Sequence, residues 1–221
     1  MGLLKEGINE VIATTHCNAA PIGIINRNRI ARMVLFHHSH TATNVERYGW
    51  IVANFIFDPV LYVRTAFEDL PESDLVPEMV EGRRMYRLPD AEAWIAYNAA
   101  VERKTDEALI VRLRPLKEMV ADLRLHPVNR GFNSIIDATV HATRYVMTGD
   151  PWLRKLIDHH ASLVRKCGGT REWEALDLLL GYLDRAETGD CGDTPDTPAA
   201  PDKQGRSRTS ERFRMGELNF R

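Results

Sequence analysis

The sequence predicts an α+β protein: a mostly antiparallel, strand-rich N-terminal part, then helices, then a C-terminal tail without regular structure. Three observations carry this. Residues 8–67 consist largely of short runs rich in β-branched residues, separated by small or polar ones, which is the pattern of strands. From Phe132 the apolar period lengthens to i, i+3, i+4, the mark of helices buried on one face. Residues 188–211 form a Pro/Asp/Thr/Gly tract, turning basic from Arg206 to Arg214, with almost no apolar side chains to offset the entropy of ordering.

Taken in order, Ile8 to Thr14 and Pro21 to Ile25 read as strands, and Asn26-Arg27-Asn28 as the turn after them, because Asn tolerates positive φ. Ile30 to Phe36 is a nearly continuous apolar run, fitting a strand covered on both faces. A short helix follows at 41–48, ending near Gly49. Trp50 to Phe55 and Leu61 to Phe67 read as two more strands, divided by Asp58-Pro59, and 68–92 as loop with one irregular turn. Trp94 to Val101 and Ala108 to Leu113 look like a pair of strands around a charged turn, with helix as the alternative for 94–100 and 116–124.

In the helical part, Asp150 and Pro151 are an N-cap and first-turn proline, and Leu153, Leu156, Ile157, His160, Ala161 and Val164 form one stripe. Gly168-Gly169 stops that helix. Thr170 is the expected cap of the next, with Trp173, Leu176, Leu180 and Leu183 on its buried face. With 131–148 this makes an antiparallel three-helix bundle. The expected organisation is 1–126, 127–187 and a tail at 188–221, whose last stretch, Phe213 to Phe220, has enough apolar content to dock.

The chain has 221 residues, 44% hydrophobic and 27% charged, with a formal net charge of −2. That balance gives no reason to expect nucleic acid or a membrane surface as the main partner. Cys17, Cys167 and Cys191 form no CxxC pair, which favours a reducing, cytoplasmic setting. No signal peptide is visible in 1–20 and no stretch is apolar for long enough to span a bilayer.

The most informative segment is Ser39-His40-Thr41-Ala42-Thr43-Asn44, read with Asn18-Ala19-Ala20-Pro21. The first sets hydroxyls and an amide at a helix start, where free N–H groups and the helix dipole favour a phosphate. His40 adds positive charge when protonated. Taken alone, Ser or Thr at this position is better explained by ordinary helix capping, the default use of those residues before a helix. The second is a small-residue strand start that lets another molecule lie close to the backbone, or that simply packs tightly. Together they suggest a flat, phosphorylated ligand, with FMN as the leading candidate.

The order Thr14-Thr15…Asn18-Ala19-Ala20-Pro21, then Ser39-x-Thr41-x-x-Asn44, then Val52-Ala53-Asn54, resembles the FMN-binding split barrels of the flavin-reductase type. Those carry Lys-Asp where Ser39-His40 stands here. More specifically, the chain is similar to a poorly characterised flavoprotein family of methanogenic archaea and one-carbon-oxidising bacteria, with a split barrel followed by helices. Asn129-Arg130-Gly131 and Val140-His141-Ala142-Thr143-Arg144 resemble the start of that helical part. The resemblance implies a split β-barrel with an added C-terminal helical domain, a homodimer, FMN as cofactor, and a small-molecule substrate or electron donor related to pterins or one-carbon cofactors. It also implies the cofactor-binding set Thr15, Asn18, Ala19, Ala20, Pro21, Ser39, His40, Thr41, Asn44 and Asn54. A non-catalytic flavin or pterin carrier is the alternative.

Other constellations carry less. His37, His38 and His40 have no neighbouring Cys or carboxylate in sequence, and a strand sends His37 and His38 to opposite faces, so no metal site is expected. His160 reads as a core or interface histidine and Cys17 as a small buried side chain. Arg130 and Arg144 read equally as anion contacts or as ordinary ion pairs.

Overall fold

The computed structural model describes residues 2–122 and 124–188; Thr188, expected to begin the tail, ends a helix, and the expectations for 189–221 lie outside the described residues. Six strands close a barrel in the order β1-β2-β3-β8-β7-β4. They are β1 (Gly7–Thr15), β2 (Asn18–Arg27), β3 (Ile30–Phe36), β4 (Trp50–Phe55), β7 (Ala93–Lys104) and β8 (Ala108–Val120), and every pairing is antiparallel. Between β3 and β4 lies helix α1 (His40–Tyr48); between β4 and β7 lie α2 (Pro59–Phe67), a 3₁₀ turn (Glu72–Asp74) and the hairpin β5 (Val76–Val80) and β6 (Arg83–Arg87). Helices α3 (Arg130–Thr148), α4 (Pro151–Cys167) and α5 (Thr170–Thr188) complete the described chain.

Strand alternation sorts the side chains into two layers. Val11 and Ala13 of β1, Ile24 of β2, Met33 and Leu35 of β3, Ile51 and Ala53 of β4, and Leu109 and Val111 of β8 fill the barrel, with Ala42 and Val45 of α1 packed among them. The opposite face, Ile12, Ala19, Trp50, Val52, Trp94 and Ala96, is covered by the β5–β6 hairpin, Tyr62 and Phe132. A third cluster joins Val63 of α2 to Ile135, Ile157, Val164, Leu176, Leu179 and Leu183. So the helical layer contains four helices, and α2 stitches it to the barrel.

Several expectations change. Leu61 to Phe67 is helix, not strand: Asp58 Oδ1 accepts from the N–H groups of Val60 (2.9 Å) and Leu61 (3.2 Å), with Pro59 at the first position, a complete start signal that outweighs β-branched content. The region 68–92 is not loop but holds the β5–β6 hairpin. Its Glu81-Gly82 turn has both φ values positive (46° and 74°), as a two-residue hairpin turn requires. The β2–β3 reversal falls on Asn28-Arg29 (φ 52° and 62°), while Asn26 and Arg27 stay in the strand.

Strands β7 and β8 run longer than expected, and 94–100 and 116–120 are strand rather than helix. Pro115 is tolerated because it lies beside a register shift between Ala96 and Tyr97 that skips Leu116, and beyond Leu113, where the pairing of β8 with β3 ends. His37 and His38 lie past the end of β3, in a turn where His38 takes φ 67°, so strand alternation does not apply to them. The cap of α5 is Gly169, not Thr170: Glu172 accepts from Gly169 N–H at 2.7 Å, half of a capping box. The buried stripe of α5 is rotated accordingly, through Ala175, Leu176, Leu179, Tyr182 and Leu183, and Trp173 is 47% exposed. Cys17 is exposed in the β1–β2 turn rather than buried.

Candidate functional site

The β1–β2 hairpin end meets the start of α1, and there four of the singled-out side chains join one hydrogen-bonded cluster. Asn18 Nδ2 donates to Thr41 Oγ1 at 2.9 Å and Thr15 Oγ1 at 3.3 Å. Asn44 Nδ2, one turn into α1, donates to Thr15 Oγ1 and to the His16 carbonyl, both at 2.9 Å. Thr15, Asn18 and Thr41 are buried, where a polar group needs its partners. Each threonine oxygen receives an amide N–H, which leaves its own hydroxyl proton to donate. The asparagines therefore turn two threonines into oriented donors.

Two further features sit beside them. The N–H groups of His40 and Thr41 have no intrahelical partner, as at any helix start. Strand β2 pairs with β1 over 18–26 but with β3 only over 25–27, so along Asn18-Ala19-Ala20-Pro21 one edge of the strand has no sheet partner. Pro21, which lacks an N–H, suits such an edge. Ala19 is buried, Ala20 and Pro21 half-buried, and small side chains let a planar group approach the backbone.

The other expected residues do different work. Ser39 Oγ donates to the Phe36 carbonyl (2.9 Å) and accepts from Ala42 N–H (3.2 Å), so it is the cap of α1 with its bonds locally committed. Thr43 bonds back to the Ser39 carbonyl at 3.3 Å. His40 Nδ1 lies 2.7 Å from the Asp69 carboxylate. Asn54 is fully buried: its Nδ2 donates to Ile12 O (2.9 Å), Thr14 Oγ1 (3.1 Å) and Val52 O (3.1 Å), and its Oδ1 accepts from Leu88 N–H (2.8 Å). It ties β4 to β1 and to the end of β6 and is not part of the Thr15–Thr41 cluster. Arg130 is exposed on the first turn of α3.

Sequence reading missed an aromatic rim. His16 stacks on Tyr48 (4.8 Å, 14°) and meets Tyr86 edge-on at 6.3 Å. Arg47 lies over Tyr48 and Arg84 over Tyr86. Tyr86 Oη donates to Glu72 at 2.9 Å, and that bond pushes its pKa up. Partial burial, then the nearby Glu72 carboxylate, raises the Cys17 thiol, so both groups hold their protons. The rim is assembled from the β1–β2 turn, α1 and β6, and no local spacing announces it.

The Asn129-Arg130-Gly131 motif proves architectural. Asn129 Oδ1 caps α3 through Gly131 N–H (2.8 Å) and Phe132 N–H (3.3 Å), and its Nδ2 donates to buried Glu172 at 3.1 Å. A Cβ on Gly131 would fall 2.5 Å from Gly168 Cα, so the start of α3 and the end of α4 touch backbone to backbone.

An antiparallel six-stranded barrel with an open strand edge and a hydroxyl-lined helix start, backed by four packed helices, defines the class. Residues 9–122 match the N-terminal domain model, and 129–181 the companion model, of the family described as protein of unknown function DUF447. The chain belongs to that family. The crystal structure of an FMN-bound protein of the same family from Methanosarcina mazei superposes with a TM-score of 0.77 at 39% identity, covering 81% of this chain and 96% of that one. Weaker overlaps are with the flavin reductase HpaC complexed with NADP+ (TM-score 0.44, 13% identity, 54% of this chain and 83% of that). An FMN-binding protein from Thermus thermophilus is comparable (TM-score 0.43, 12% identity, 53% and 72%). Overlaps of that extent say nothing of this chain's ligand or activity.

Proposed function

We propose that this chain binds FMN at the junction of β2 and α1 and works as a flavin-dependent oxidoreductase on a small molecule. The observation that carries the reading is the convergence of Thr15, Asn18, Thr41 and Asn44 on one helix start beside an unpaired strand edge. The family's FMN-bound member from Methanosarcina mazei supports it. In this reading the hydroxyls of Thr15 and Thr41 and the first N–H groups of α1 hold the phosphate. The Asn18 to Pro21 edge lies along the isoalloxazine.

The donor set fits a phosphate in kind. No Lys or Arg belongs to the hydrogen-bonded cluster, so the anion is met by dipoles and hydroxyls, with His40 nearby and already facing Asp69. Bound FMN supplies the hydride and electron chemistry; the protein binds, orients and shields it. The resemblance to a family of methanogens and one-carbon oxidisers extends the proposal to a substrate related to pterins or one-carbon cofactors. It extends also to a homodimer in which the second copy covers the open β2 edge. A carrier without turnover is the second reading, favoured by the raised pKa of the Cys17 thiol, which keeps that group from serving as a nucleophile.

The test is an absorbance spectrum after loading with FMN and gel filtration with mass determination. Flavin bands co-eluting with a dimer support the proposal, and a colourless protein overturns it. Rapid bleaching by NADH or NADPH separates the enzyme from the carrier.

A further inference from the structure

A groove of about 430 Å³ opens between β1, the β4–α2 connection and α3. Its volume is within the range of small-molecule sites, roughly 300–1,000 Å³. One wall is an aromatic stack: Phe57 lies 4.0 Å from Phe132 on one face and 4.2 Å from His126 on the other, with Tyr62 edge-on to Phe132 at 6.0 Å.

Glu10 and Asp137 also line the groove. Neither carboxylate has a hydrogen-bond or ion-pair partner among the described residues, whereas the third, Glu92, is met by His126 Nε2 at 2.7 Å. Asp137 is near enough that, after partial burial, its repulsion raises Glu10. Two like charges lining one opening repel each other, and a bound cation reverses that sign. The backbone under Glu10 is fixed: Tyr62 Oη donates to its carbonyl at 3.2 Å. A Cβ on Gly23 of β2 would lie 3.1 Å from Glu10 Oε1, so the glycine leaves room for the carboxylate. Along β1, Glu10 is five residues from Thr15, about 17 Å at roughly 3.4 Å per residue, so the acidic lining of the groove and the Thr15–Thr41 cluster lie apart on one strand.

We propose that this groove binds a flat aromatic or heteroaromatic body bearing a cationic, N–H-rich end of the amidine or protonated-amine class, its apolar part against the Phe57–Phe132 wall and its donors shared by Glu10 and Asp137. This deepens the flavin reading by naming the class of the second ligand, but the binding itself needs no flavin.

The test is calorimetric titration of the full chain with benzamidine, against its neutral isostere benzamide and the anion benzoate, at low salt. Benzamidine is expected to saturate at least tenfold tighter than benzamide, with no benzoate binding, and Glu10→Gln/Asp137→Asn to reduce benzamidine to the level of benzamide. Both side chains are at solvent, so the variant should keep the wild-type melting temperature; if it does not, the wild-type contrast between the two isosteres decides alone. Equal affinity for benzamidine and benzamide, no saturation, or an unaffected double variant overturns the proposal. FMN retention, measured separately, is expected to be unchanged in the variant. Loss of FMN binding by the wild type overturns the flavin reading without touching this one.

Discussion

Replacing Thr41 by valine removes one hydroxyl and almost nothing else in volume, and its consequences separate into two measurable parts. The first is structural. Asn18 Nδ2 loses its 2.9 Å acceptor and keeps only the 3.3 Å contact to Thr15. A buried amide N–H left short of a partner costs about 1–3 kcal/mol, so chemical denaturation should show a loss in that range. The second concerns ligand. If the Thr41 hydroxyl donates to the phosphate, its loss removes a charge-assisted bond worth about 1.5–3 kcal/mol, or about 10- to 150-fold in Kd. Riboflavin, which lacks the phosphate, is the control: its affinity should stay within about twofold of wild type, on the scale where 1.4 kcal/mol is tenfold. Thr41→Ser should restore most of both losses. Fluorescence quenching of FMN and riboflavin by the three proteins reads all of this. An unchanged FMN Kd in Thr41→Val, or equal losses for FMN and riboflavin, would refute the phosphate assignment.

Three further outcomes follow from the packing. The rings of His141 and His160 lie 5.5 Å apart on α3 and α4, and their buried Nδ1 atoms have no hydrogen-bond partner among the described residues. Burial lowers both pKa values; His160 and Arg144 lower His141 further and His159 lowers His160, while Asp137 opposes in each case. Their folded-state values therefore sit below the unfolded value of about 6.5, so stability should be flat above neutral pH and fall as pH drops through 6.5. A His141→Asn/His160→Asn variant should flatten that fall in a melting series from about pH 8 to 5.5; an unchanged slope would contradict the linkage. Gly131→Ala must push backbone from backbone at Gly168 and is expected to cost about 1–3 kcal/mol, read by denaturant midpoint, with FMN affinity unchanged. Asn54→Leu strands the buried Leu88 N–H and removes three donated bonds; a loss of at least about 1–3 kcal/mol is expected, and a stability equal to wild type would show that the residue is dispensable as a strand tie.

How far the sequence reaches depends on the range of the signal. Caps and short turns are local chemistry, so Asp150-Pro151 before α4 and Gly49 after α1 (φ 68°) are legible by inspection. Leu61 to Phe67 misleads because β-branched content is a weak preference and Asp58-Pro59 a strong start signal. The β5–β6 hairpin is hidden because its prolines and acids look like loop until the barrel's outer face supplies something to cover.

The same division holds for the site. The sequence by itself nominated the candidates: Thr41 and Asn44 as a hydroxyl and an amide at a helix start, where they suit a phosphate as well as a cap, and Thr15 and Asn18 within the motif order that resembles a known barrel. It determined the class of fold as well, because strand and helix periods differ and the order of the short motifs is that of a known barrel. Only the tertiary structure decided that Ser39 is a cap, that Asn54 is a strand tie, and that Glu10 and Asp137 face one groove from elements more than a hundred residues apart in the numbering. The physical reason is that a side chain's partners across a barrel are set by register and packing, which no spacing along the chain encodes.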